Sequence, residues 1–224
     1  MSSEQLMEAL AKCPLFAGLS PAGIAFALGG VDYKLVRFAR HDVYALAGMP
    51  CEWADIVLTG TLVCRMSSVS GKQIEVSRLR PGNLVAPAFV FAKDNAMPVS
   101  VETDSEVTVL RLRPADLQRL IDVDETLRMN FIRILSNIDV FLTRKMRVLS
   151  LFTIREKVAC LLLETAGEQG GDTIHLRHSR QAIADSFGIQ KFSLLRVLAD
   201  LEKEGVILVK GKEIRILDRK RLSL

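Results

Sequence analysis

A chain of 224 residues has room for two small domains, each with a core of its own. Its 49% hydrophobic and 25% charged composition is that of a soluble globular protein, and no apolar run approaches the roughly 20 residues that span a bilayer. A net charge of +4 and a pI near 9.0 suit an anionic partner without requiring one, and no membrane partner is expected.

The opening residues, MSSEQLMEALAKC, alternate polar and apolar side chains at helical spacing, unlike a signal or transit peptide, so a cytoplasmic location is expected. A helical preface over roughly Ser3 to Leu28, interrupted between Pro14 and Pro21, leads into a β-rich zone. From about Tyr33 to Leu112 the runs DIVLTG, TLVCRM, IEVSRL, PVSVET and EVTVLRL are separated by turn signals. These are Gly48-Met49-Pro50, Gly60, Ser70-Gly71-Lys72, Pro81-Gly82 and Asp104-Ser105. Short strands at such spacing predict an all-β sandwich or barrel.

A long helix follows from about Asp124 to Ser150. Leu127, Phe131, Ile134, Ile138, Phe141 or Leu142, and Leu149 recur along it at spacings of three and four. That seam faces either the chain's own β-domain or a second copy, as a parallel coiled coil. Its width favours a homodimer.

The last zone is mostly helical. A helix from Ile154 to Thr165 is expected to end at Gly167, and Gly170-Gly171 sits in a polar link before a strand from Thr173 to Leu176. The stretch SRQAIADSFGIQKFSLLRVLADLEKEGVI, from Ser179 to Ile207, then reads as two short helices around a tight turn. Ser179 is a natural N-cap, Ala182, Ile183 and Phe187 form an apolar stripe, and Gly188 supplies the left-handed turn residue. A second helix from about Gln190 to Glu204 buries Leu194, Val197, Leu198 and Leu201 and presents Lys191, Phe192 and Arg196. A long cationic face of that kind suits a reader of the DNA major groove, although an αα-hairpin with no nucleic-acid role shares the pattern. Ile207-Leu208-Val209 and Ile214-Arg215-Ile216 flank Lys210-Gly211-Lys212 as a basic-tipped hairpin, which completes a winged helix-turn-helix. The wing lysines and the tail Arg219-Lys220-Arg221 either meet phosphates or are simply solvated.

Cys13, Cys51, Cys64 and Cys160 are scattered without a C-x-x-C pair, so a zinc ribbon or compact redox motif finds no support. No G-x-S-x-G, P-loop or H-E-x-x-H pattern occurs, and no enzymatic activity is expected. His175 and His178 lie beside Arg177 and Arg180, where phosphate contact is a better use than catalysis.

In chain order, these parts closely resemble the cyclic-AMP receptor protein/FNR (Crp/Fnr) family of bacterial transcription regulators. The motifs that carry the resemblance are CPLFAGLSP, DIVLTGTL, SGK, RPGN, LSLFTIREKVACLLL and SRQAIADSFG…LLRVLADLEKEGVI, across nearly the whole chain. The resemblance implies an α+β protein with an effector-sensing, cyclic-nucleotide-binding-like β-barrel (jelly roll) at 1–123. It further implies a dimerisation helix at 124–150, carrying Leu127, Phe131, Ile134, Ile138, Phe141 and Leu142, and a DNA-binding domain at 151–224. The implied partners are double-stranded DNA with a palindromic operator, a second copy of the chain, and RNA polymerase.

By the same resemblance, the phosphate-anchoring pair falls on Arg180 and Gln181, and the reading positions on Lys191, Phe192, Ser193, Leu194, Leu195 and Arg196. Arg196 keeps the guanine-reading arginine, whereas Phe192 replaces a glutamate that would accept from cytosine and Leu195 replaces a small residue. The residue pairs that grip a cyclic phosphate become Ala86-Pro87 and Met97-Pro98, and an unpaired buried phosphate is costly, so cyclic AMP is not expected. Cys64, Met66, Val76, Leu79 and Leu142 would complete an apolar lining for an apolar ligand, for a heme sensing nitric oxide or carbon monoxide, or for the chain's own side chains. The recognition-helix stretch GIQKFSLLR also resembles that of nitrosative-stress members. A heme would draw its axial ligand from His41, Met66, Met97, Cys64 or Met146, and no other metal site is assigned. An iron–sulfur cluster is not expected, because Cys13 stands without an N-terminal cysteine cluster.

Overall fold

The structure is a computed structural model that describes residues 2–67 and 73–222, so the expected Ser70-Gly71-Lys72 turn lies outside the described residues. The chain forms two compact units, Met1–Asp139 and Val140–Leu224. The long helix is therefore divided between them and does not stand as a third segment.

The first unit opens with α1 (Ser3–Ala11), where Ser2 and Gln5 close a capping box: Ser2 Oγ accepts from the Gln5 N–H at 3.2 Å, and Gln5 Oε1 from the Ser2 N–H at 2.9 Å. A 3-10 turn at Pro14–Phe16 precedes α2 (Pro21–Gly29), which starts on the Ser20 cap with proline in its first turn. The strands are β1 (Tyr33–Phe38), β2 (Val43–Ala45), β3 (Ala54–Thr59), β4 (Leu62–Ser67), β5 (Gln73–Leu79), β6 (Ser100–Thr103) and β7 (Val107–Leu112). They form two antiparallel sheets, in the orders β1-β7-β3 and β2-β6-β4-β5, around one core that includes Leu10, Phe16, Ile56, Leu62 and Leu110. Gly60, between β3 and β4, has φ +79° and leaves no room for a side chain, since a Cβ would lie 2.2 Å from the Glu106 carbonyl oxygen.

One polar cluster ties the two sheets together. Asp55 of β3 is fully buried and accepts three hydrogen bonds from the Arg111 guanidinium of β7, the shortest at 2.6 Å. The Tyr44 hydroxyl, from β2 in the other sheet, donates to the same carboxylate at 2.7 Å. Phe38, Tyr44 and Trp53 surround the guanidinium, with Trp53 at 5.2 Å. Burial, followed by the Asp55 charge, pushes the Tyr44 phenol well above its ordinary range, so it stays a donor.

Two helices end the unit. The short α3 (Pro114–Val123), absent from the sequence expectations, starts with proline in its first turn and buries Leu117 and Leu120. The long helix α4 (Glu125–Leu151) corrects the expected dimer seam. Leu127 and Phe131 are buried in the first unit's own core, with Ile134 and Leu135 packed against it. Asn130 holds that face inward by donating from Nδ2 to the Leu15 and Ala17 carbonyls, at 3.0 and 2.7 Å. Phe91 also meets Phe131 edge-on, with centroids 5.9 Å apart. The start of the proposed seam is thus spent inside the subunit.

In the second unit, α5 (Ile154–Gln169) is started by a Thr153–Glu156 capping box and runs through Gly167, ending at Gly170 with φ +72°. The expected stop at Gly167 fails because that glycine has helical geometry and Gly170 supplies the left-handed cap. Then come β8 (Thr173–His175), α6 (Arg180–Ser186), α7 (Lys191–Lys203), β9 (Ile207–Lys210), β10 (Glu213–Ile216) and α8 (Arg219–Leu222), with sheet order β8-β10-β9. Among the described residues no helix is long and apolar enough to cross a membrane.

Candidate nucleic-acid interface and effector site

The α6–α7 unit is built from local rules. Ser179 Oγ accepts from the Ala182 N–H at 3.1 Å, and Gly188, with φ +64°, turns the chain so that the Ile189 N–H reaches the Ala184 carbonyl at 3.0 Å. Ile183 and Ala184 are buried and Phe187 half-buried, whereas Ala182 is exposed, so the expected stripe on α6 is rotated by one residue pair. The reason is helical phase: 183, 184 and 187 share a face that 182 does not.

Helix α7 buries Leu194, Leu198 and Leu201 and half-buries Val197. Its other face leaves Lys191, Phe192, Leu195 and Arg196 exposed, with Ser193 half-buried. Phe192 is 72% exposed, so it does not pack into the protein. Among the described residues neither Lys191 nor Arg196 has an ion-pair partner, which leaves both cations available to an external anion or base edge.

The two anchor positions carry local bonds of their own. Gln181 Nε2 donates to Asp185 Oδ1 at 2.8 Å, and Arg180 Nη2 donates to the Gly211 carbonyl at 2.9 Å. Burial draws the Arg180 guanidinium below its ordinary basicity. The tail is not a loose basic segment. Arg221 donates to the Glu204 carbonyl at 2.9 Å and pairs with its carboxylate at 3.2 Å, while Arg219 pairs with Asp172. Arg155 grips Glu204 at both oxygens, at 2.7 and 2.8 Å, and that pairing holds the Glu204 carboxyl below its usual range. Sequence reasoning missed these pairs because their partners lie 17 to 49 residues apart.

In the first unit the expected effector positions separate. Cys64 and Met97 are buried core residues, Leu79, Ala86 and Pro87 are half-buried, and Met66, Val76 and Pro98 are exposed. Leu142 belongs to the second unit and is also exposed. Ala86 has φ +46°, a conformation that favours glycine, directly before a proline. Arg78, a cation of β5, is committed to Glu75 at 2.8 and 3.0 Å and to Asp104 at 2.7 Å.

These residues do not fit a heme. His41 sits in an exposed turn with φ +70°, Met66 and Met146 point to solvent, and Met97 is packed in the core. Burial pushes the Cys64 thiol up, away from the thiolate a metal takes. Among the described residues no group of three or more His, Cys, Asp or Glu side chains is placed to hold a metal ion.

The comparisons with known proteins follow the same division. Residues 35–124 match the cyclic nucleotide-binding domain family, and residues 156–224 match the Crp-like helix-turn-helix domain family. The chain is 24% identical to a CRP-like cAMP-activated global transcriptional regulator of Mycobacterium tuberculosis over 222 residues, 96% of this chain and 97% of that one. It is 22% identical to the cAMP-activated global transcriptional regulator Vfr of Pseudomonas aeruginosa, over 79% of this chain and 86% of that one. The fold is similar to that of a CooA mutant from Carboxydothermus hydrogenoformans, with TM-score 0.67, 14% identity, and coverage of 93% and 92% of the two chains. A cyclic nucleotide-binding domain match followed by a Crp-like helix-turn-helix match places the chain in the Crp/Fnr family of DNA-binding transcription regulators.

Proposed function

We propose that the chain acts as a homodimer that reads a palindromic duplex site through α7 and answers to an effector other than cyclic AMP, in partnership with RNA polymerase. The observation that carries the DNA reading is the face of Lys191, Phe192 and Arg196, exposed on a helix whose opposite side is core. In this reading Arg196 donates to guanine O6 and N7, and Phe192 packs on a thymine methyl group where a glutamate would accept from cytosine. Arg196→Ala is then expected to cost about 1–3 kcal/mol on the selected site and to relax preference at a single base pair. Phe192→Glu should move preference toward a cytosine-containing half-site. Binding-site selection on both variants measures this; a loss that is uniform across sequences for Arg196→Ala would place the reading face elsewhere.

The relatives from Mycobacterium tuberculosis and Pseudomonas aeruginosa are cAMP-activated. In this chain Ala86-Pro87 and Met97-Pro98 offer neither carboxylate nor guanidinium, and Arg78 is already bonded to two acids. A cyclic phosphate placed there would remain unpaired at a cost of several kcal/mol. An apolar molecule seated against Cys64, Leu79, Ala86 and Met97 suits the same residues. Calorimetry is expected to show no cyclic AMP binding in the low-micromolar range. Mass spectrometry and absorption spectroscopy of natively purified protein would identify the effector, and a heme absorption band would overturn the apolar reading.

A further inference from the structure

We propose that Arg180 is a positioning residue: it clamps the tip of the β9–β10 wing to the start of α6, so that Lys210 and Lys212 meet backbone phosphates beside the groove that α7 enters. The proposal rests on the DNA-binding reading above and adds a role that a simple phosphate anchor does not have.

The wing turns through Gly211 and Lys212, between the paired residues Lys210 and Glu213. Gly211 has φ +60°, so this two-residue turn has the hairpin form that starts on a left-handed residue. The carbonyl in the middle of such a turn ordinarily faces water. Here the Gly211 carbonyl accepts from Arg180 Nη2 at 2.9 Å, and the next carbonyl, that of Lys212, accepts from the Leu176 N–H at 2.9 Å. Both donors come from the segment that leads into and begins α6. The tip is therefore held at two successive peptides, one by the first residue of α6 and one by the link that leads into it, beside the helix α7 that carries the reading face.

The far side of the wing is fixed as well. β10 pairs with β8 through Glu213 and His175, and Gln169 brackets His175 by bonding its N–H and its carbonyl at 2.8 and 2.9 Å. The Leu176 bond and the β8 ladder are main-chain contacts that any sequence could make. Among the described residues the Arg180 bond is the side-chain hydrogen bond from the helix-turn-helix to the turn itself, while Glu202 of α7 accepts from the Val209 N–H of β9 at 2.8 Å, one residue before Lys210. A planar guanidinium directs its donors in a fixed fork, so one N–H can hold a carbonyl while others meet a phosphate. A lysine at this position supplies a charge without that geometry. Lys210 and Lys212 are exposed on the tip, and among the described residues neither has an ion-pair partner.

The test uses the full chain, with Arg180→Ala, Arg180→Lys and the double variant Lys210→Ala/Lys212→Ala. In the free protein, hydrogen exchange at residues 210–213 is expected to accelerate at least about tenfold in both Arg180 variants, with the thermal midpoint little changed. On the selected duplex, Arg180→Ala should flatten the salt dependence by about two or more units, against about one for a single lost phosphate contact. Removing the two lysines in the Arg180→Ala background should weaken binding by less than about twofold, whereas in the wild-type background it should weaken it by about tenfold or more. Arg180→Lys should fail to restore binding.

Unchanged wing exchange, additive losses, or full rescue by lysine would each overturn the proposal while leaving the DNA-binding reading intact. If the wild-type chain selected no duplex site, that reading would fall and the positioning role with it.

Discussion

Leu142→Asp combined with Met146→Asp is expected to leave a folded monomer whose affinity for a palindromic operator is about 100- to 10,000-fold weaker, because each half-site must then be bound without its tethered neighbour. Leu142 and Met146 are 57% and 64% exposed, and with half-buried Val148 and exposed Leu149 they line the later turns of α4. Neither belongs to a core, so aspartate at these positions disturbs no packing within the subunit. Val140, Phe141 and Leu151 extend the exposed apolar surface, which is more than a water-facing helix ordinarily carries. A parallel pairing of two such helices would cover it, and a carboxylate placed in that seam would have to be desolvated. The same substitution at Leu127 or Phe131 would test something else, since both lie in the core of the first unit and their loss would unfold it. Light scattering at micromolar concentration decides the matter. Monodisperse wild-type monomers would overturn the dimer.

Asp55→Ala is expected to destabilise the first unit by about 3–5 kcal/mol, the cost of breaking a buried ion pair from one side. The variant leaves the Arg111 guanidinium half-enclosed among Phe38, Tyr44 and Trp53, with its carboxylate gone and the Tyr44 hydroxyl without its acceptor. Tyr44→Phe, which removes one bond to a charged acceptor, should cost less, about 1–3 kcal/mol. Replacing both charges, as Asp55→Leu with Arg111→Met, should recover most of the loss, because a buried pair and a well-filled apolar contact are of similar stability. Trp53 is the sole tryptophan of the chain and its ring lies 5.2 Å from the guanidinium, so its fluorescence reports urea unfolding at the cluster itself. A double variant no more stable than Asp55→Ala would show that an apolar contact does not replace the pair between β3 and β7.

The sequence by itself determined the parts whose signals are local. Ser179, Gly188 and the apolar spacing of Leu194, Leu198 and Leu201 were enough to place α6, the turn and α7, and with them the exposed Lys191, Phe192 and Arg196. A cap, a left-handed turn residue and a helical period act within about four residues, so they are legible in one dimension. The same holds for the alternation of short strands and turn glycines in the first unit.

What only the tertiary structure decided depends on which distant groups meet. The α4 seam reads as one continuous apolar stripe, yet its first turns belong to the subunit's core and its later turns do not; Asn130 reaching back to Leu15 and Ala17 sets that division. The Asp55–Arg111 pair, the Arg155–Glu204–Arg221 staple and the Arg180 bond to Gly211 link residues 17 to 56 positions apart, and periodicity says nothing about such pairs. The effector positions separate for the same reason. Cys64 and Met66, two residues apart on β4, read as equals on one face in the sequence, but the β4–β5 register shifts between Cys64 and Arg65, and only the first is buried.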